Sequence, residues 1–201
     1  MPYSSFSLKQ VQQVFHLNTM EQGGIFAAVA EREISALLRE ILADHLDLAI
    51  SINTEKARSE LIIAPILTEI RRIFRKQISL FSGIDLTSDR EQNLTGFCDF
   101  LISQSPEQLF LTAPIITIVE AKNENLMAGL GQCAAEMVAA QRFNEAEDRS
   151  IAKIYGAITS GTLWQFLRLE GQQLAIDLEE YSIKEIKKIV GILCSMVEQT
   201  A

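Results

Sequence analysis

The stretch Ile-Ile-Thr-Ile-Val-Glu-Ala-Lys at residues 115–122 constrains this chain more than any other. It is apolar on both faces, which predicts a strand covered from both sides and hence an interior strand of a layered sheet. Alternation places Ile116, Ile118, Glu120 and Lys122 on one face. An acid and an amine at the end of such a strand are costly to bury unless they pair or bind a metal. The preceding segment, 96–103, reads as a second strand with Phe97, Asp99 and Leu101 on one face and Cys98, Phe100 and Ile102 on the other. Antiparallel pairing of the two would bring Asp99, Glu120 and Lys122 together.

The rest of the chain predicts an α/β (α+β) architecture, a mixed central sheet flanked by helices with extra N-terminal and C-terminal helices. Residues 1–201 read as one domain: a helical extension over 1–50, a core over 55–169 and a C-terminal helix over 182–199. A short helix is expected at 8–15. Three- and four-residue apolar spacing predicts one amphipathic helix, or two in tandem, over 25–48. Asn53 or Thr54 caps a further helix over 55–77, with Ile63, Ile66, Leu67 and Ile70 inward and Glu60 continuing that stripe by one turn. Pro65 predicts a kink or break nearby. Strands follow at 78–86, 151–159 and 162–169, with 174–178 as an edge strand, 109–111 as an addition to the sheet and 88–93 as a loop. A helix over 126–143 is thin, built on Gly129, Gly131 and alanines, with Gln132 and Glu136 one turn apart. Glu136 and Glu124 read as surface residues. Ser182 and Glu185 form a capping box for the last helix.

The net charge of −8 argues against a general nucleic-acid coat, and the most acidic segment, 91–150, contains the candidate site. The one basic cluster is Arg71, Arg72, Arg75 and Lys76. Cys98, Cys133 and Cys194 fall on apolar positions and read as core residues of a reducing compartment. The start of the chain lacks a basic-then-apolar leader pattern, and no apolar run reaches membrane-spanning length. A cytoplasmic protein without membrane contact is expected. His16 and His45 are isolated.

Two carboxylates sharing a pocket resist ionisation unless a cation joins them. An oxygen-only donor set suits Mg²⁺ or Mn²⁺. The Glu-x-Lys alternation sets an ammonium beside that metal, suited to phosphodiester hydrolysis. An internal salt-bridge cluster is the plainer alternative.

Asp99, then Glu120-Ala121-Lys122, with Glu60 on the helix before and Gln132 on the helix after, resembles the PD-(D/E)XK nuclease superfamily, the restriction-endonuclease-like fold. The order helix, three strands, helix, strand is similar to that core over 55–169. Residues 120–137 also resemble members common in cyanobacteria. Ser160-Gly161-Thr162-Leu163-Trp164 is similar to a hairpin of some type I restriction subunits, one residue tighter. Cys98 stands where the family motif has Pro. The resemblance implies a metal held by Asp99, Glu120 and Glu60, attack assisted by Lys122, a supporting Gln132, and DNA as substrate. The alternative is a catalytically silent member of the fold acting as a binding or assembly subunit. Hydrolysis of a small phosphate ester is disfavoured, since no phosphate-cradling Gly loop or His cluster accompanies the acids. The N-terminal helices offer a surface for a homodimer.

Overall fold

The computed structural model describes residues 3–89, 91–92 and 94–198. Arg90 and Asn93 of the expected loop, and Gln199 at the end of the expected last helix, lie outside the described residues. In chain order the elements are α1 (Leu8–Val14), β1 (Asn18–Gln22), α2 (Ala36–Ile52), α3 (Glu55–Arg58), α4 (Ala64–Ile73), β2 (Ser79–Asp85), β3 (Phe97–Ser103), β4 (Ile115–Ala121), α5 (Leu130–Ala146), β5 (Ile154–Thr159), β6 (Leu163–Glu170), β7 (Gln173–Ser182) and α6 (Ile186–Glu198). The described strands form one sheet in the order β1-β7-β6-β5-β4-β3-β2. The β4–β5 and β1–β7 pairs are parallel and the others antiparallel. The protein is thus an α+β fold with a mixed seven-stranded sheet flanked by helices.

Every residue of β4 and β5 is buried, as the unbroken apolar run requires of strands covered on both faces. On one face α2, α4 and α6 supply Leu38, Ile66, Ile70, Ile189 and Leu193 to a core shared with Val119 and Ala157. On the other, α1 and α5 supply Val11, Cys133 and Met137 against Ile118 and Ile158. Helix α5 is the crossover that the parallel β4–β5 pair demands. It is covered on its outer side by the N-terminal segment, so over 130–140 every residue but Gln132 is buried. The three cysteines are buried, free thiols. No helix among the described residues is long and apolar enough to cross a membrane.

The N-terminal quarter departs from the helical extension expected of it. The helix begins only at Ala36, where Ser35 accepts a hydrogen bond from the Leu38 N–H and is itself held by the buried Glu69 carboxylate at 2.9 and 3.0 Å. Residues 25–29 instead form turns after Gly24, whose backbone sits at φ +71° and whose N–H donates to Asp177. The apolar spacing there serves core contacts without a helix: Phe26 packs on Tyr155 and Phe166. Strand β1 was not anticipated because its sequence, Asn-Thr-Met-Glu-Gln, is largely exposed and carries no alternation. By pairing with β7 it makes that strand interior, not an edge. Residues 109–111 join no strand, and Leu109 is 91% exposed. The expected 126–143 helix opens as a 3₁₀ turn, Leu126–Gly129, before α5 proper.

The helix expected over 55–77 is interrupted. Thr54 caps α3, a π turn spans Ser59–Ile63, and α4 ends at Ile73. Pro65 has no N–H to give the Leu61 carbonyl, its normal partner one turn back. His45 from α2 fills that vacancy, with Nδ1 3.3 Å from the Leu61 oxygen. A carbonyl only accepts, so Nδ1 carries the proton. His45→Leu is expected to strip the carbonyl of its partner and lower stability by about 1 kcal/mol, read as a lower urea midpoint at unchanged slope.

Candidate functional site

Strands β3 and β4 pair Leu101 with Ile118 and Phe100 with Val119. One step further the ladder would set Asp99 opposite Glu120, and there it ends. The Ala121 N–H donates to the Asp99 side chain, Oδ2, at 2.8 Å. A carboxylate has taken the place of a strand carbonyl, and the strands part at this end. Cys98 and Leu101 pack into the same layer although three residues apart, so strict alternation is interrupted between them. The expectation that Phe97, Asp99 and Leu101 share a face therefore fails. The half-buried Asp99 opens instead on a cleft of about 220 Å³ that it lines with Glu55, Lys56, Ser59, Ser82 and Ala121.

Glu120 follows Ile118 toward the α5 layer and is 1% exposed. Its Oε1 accepts from Lys122 Nζ, while its Oε2 is buried without a partner among the described residues. The Lys122 backbone N–H donates to the Thr159 carbonyl at 2.8 Å, which extends the β4–β5 ladder and fixes the base of that side chain. Nζ also donates to Gln132 Oε1 at 3.2 Å, and Gln132 Nε2 donates to Glu136 Oε1 at 3.1 Å. Four polar side chains thus run in series from the sheet end into α5.

Burial, then the charge of Asp99, pushes the Glu120 carboxyl up to about 8 against the pull of Lys122. Burial opposes the Lys122 ammonium, yet Glu120, Glu55 and Asp99 together hold it above the ordinary lysine range. Burial also pushes Glu136 well up, with Glu120 adding to the effect. The folded protein keeps a proton on Glu136 that the unfolded chain releases near the usual value of 4.5. That contribution to stability is complete below about 4.5 and is lost as pH rises through the folded-state value. Glu136→Gln removes this loss. Its melting temperature relative to wild type is expected to be higher at pH 8 than at pH 5, by on the order of a few degrees.

Of the residues expected at the site, Asp99, Glu120, Lys122 and Gln132 come to this end of the sheet, but not to one face as expected: Asp99 opens toward α3, and Glu120, Lys122 and Gln132 lie on the α5 side. Glu60 does not. It lies in the π turn, which winds less per residue than an α-helix and swings it off the buried stripe. Its side chain is 60% exposed, pairs with Lys56 at 2.8 Å, and lines a groove with His45 and Pro65. The helical acid that faces Asp99 is Glu55, in the first turn of α3. The Thr54 cap marked that helix start, and a cap followed at once by an acid was the signal for Glu55. Glu136, read as a surface residue, is wholly buried; its spacing from Gln132 was the available clue. Trp164 and Phe166 stack in the core. The basic cluster sits at the far end of α4, roughly 27 Å along the helix axis from Glu55, and there Arg71 donates to Gln108.

Among the described residues no three His, Cys, Asp or Glu side chains form a ready metal cage. The donors present fit a different kind of centre. Mg²⁺ is bound through one or two carboxylates and keeps several waters. Asp99 and Glu120, the latter with an orphaned buried oxygen, supply that number. Comparison with protein-family models, with curated proteins and with solved structures gives no match.

Proposed function

We propose that this protein is a metal-dependent phosphodiesterase acting on DNA, built on a restriction-endonuclease-like core. The observation that carries the reading is the ion pair of the buried Glu120 with the partly exposed Lys122, close enough to Asp99, on the wall of the cleft, for its charge to act on both. Such a pair is expensive where an apolar pair would pack freely. A site that needs a metal ligand and a cation together supplies a reason for it.

Asp99 and Glu120 would hold the Mg²⁺ or Mn²⁺. When bound, the metal lowers the pKa of a coordinated water and offsets charge at the phosphoryl group. Lys122, pinned through its backbone and aimed by Glu120 and Gln132, presents an ammonium beside the phosphate as negative charge develops. Glu55, on the cleft wall, accepts a proton from, or orients, the attacking water. Glu60 has no part in this.

The test is cleavage of plasmid and single-stranded DNA by the purified protein with Mg²⁺ or Mn²⁺. Glu55→Gln is expected to slow cleavage about 10–100-fold, the scale of a displaced acid–base group, and Glu60→Gln to leave it unchanged. Loss with Glu60→Gln and none with Glu55→Gln would refute the assignment. A wild-type protein inert on both substrates would favour the silent binding subunit over the enzyme.

A further inference from the structure

Glu136 takes no step in the hydrolysis proposed above, yet it is 0% exposed among Cys133, Ala135 and Met137. A Leu or Met would pack there without electrostatic cost. Among the described residues its one hydrogen bond is to the Gln132 amide, one turn back on α5, and its other oxygen has no partner.

An amide's two ends are alike in shape and opposite in polarity. Rotated by half a turn, the Gln132 side chain would present its NH₂ to the Lys122 ammonium, donor against donor. Lys122 can only donate, and Glu136 offers Nε2 an acceptor oxygen whether or not it carries a proton. Both neighbours therefore demand the same orientation. Lys122 is partly exposed and Gln132 half-buried, so water can compete at that end. The Glu136 end is sealed from water.

We infer that Glu136 is a positioning residue: it locks the Gln132 amide with its carbonyl oxygen toward Lys122, and so holds Nζ between Glu120 and Gln132. The bearing of this on phosphodiester attack rests on the nuclease reading; the positioning itself does not.

The test is the pH profile of Lys122 acetylation by acetic anhydride in the metal-free protein, followed by mass spectrometry. Glu136→Leu and Gln132→Leu are each expected to move the profile to lower pH and raise the rate at pH 8 about tenfold, the scale of one lost hydrogen bond to an ammonium. Glu136→Gln, which keeps an acceptor oxygen, is expected to follow wild type. Wild-type labelling in Glu136→Leu, or fast labelling in Glu136→Gln, would overturn the inference. A measurement on the wild type covers the case in which Glu136→Leu does not fold. The Gln132 side-chain NH₂ protons should exchange slowly by NMR, and exchange as fast as in an exposed glutamine would refute the lock. Absence of DNA cleavage in the wild type would remove the nuclease reading and leave these results standing.

Discussion

Asp99→Asn and Glu120→Gln are each expected to abolish DNA cleavage, by roughly a thousandfold or more, and to remove tight Mn²⁺ binding seen by calorimetry. Both substitutions spare the fold. The Asn side chain still accepts from the Ala121 N–H, and the Gln carbonyl still accepts from Lys122 Nζ. What each loses is a carboxyl group that can ionise onto a bound cation where β3 and β4 part. Lys122→Ala is expected to retain Mn²⁺ binding and lose cleavage by about 10²–10³-fold, because it removes the cation and leaves both carboxylates. Since Glu120 is pushed up to about 8, Mn²⁺ must displace a proton, and wild-type affinity should climb as pH rises toward that value. Equal Mn²⁺ affinity in wild type and Glu120→Gln would sink the metal site, whatever the cleavage assay reads.

The second large effect is structural. A Cβ on Gly131 would stand 2.2 Å from the Phe6 carbonyl oxygen, 2.5 Å from the Ser7 carbonyl carbon and 2.6 Å from the Leu8 nitrogen. These are backbone atoms of the segment that opens α1, and they cannot swing aside as a side-chain tip can. Gly131→Ala must push the N-terminal segment off α5. Alanine's better helix propensity favours the variant by about 1 kcal/mol, and overpacking opposes it by about 3 kcal/mol. The net loss of about 2 kcal/mol should lower the melting temperature by roughly 4–8 °C. Gly23→Ala serves as the control, since a Cβ there meets nothing within 4 Å. A Gly131→Ala protein that melts with wild type would mean that residues 6–8 do not rest on α5.

The legible parts of the site were those fixed by short-range chemistry. Glu120 and Lys122 stood out because charged residues closed an apolar strand, and Asp99 because the strand before it had to be its neighbour. Gln132 entered through the family resemblance, and helical spacing added only that it lies one turn from Glu136. Glu60 was misplaced for a local reason that its own letters do not carry. A π turn depends on Pro65 lacking an N–H and on His45, from another helix, capping the carbonyl left behind. Glu136 was misread because α5 has small residues on every side. Small residues show that something approaches closely, not what approaches, and the sheet and the N-terminal segment bury the helix from both sides.

Sequence alone determined that β4 is interior, that an acid and an amine close it, and that helical segments begin at Asn53 or Thr54 and at Ser182. Each of these follows from the periodicity or chemistry of residues adjacent in the chain. Only the tertiary structure decided that Glu55 and not Glu60 faces Asp99, that β1 completes the sheet beside β7, and that Glu136 lies wholly inside. Those outcomes depend on which distant backbone covers a given side chain, and burial by a remote segment leaves no periodic trace in the residues it covers.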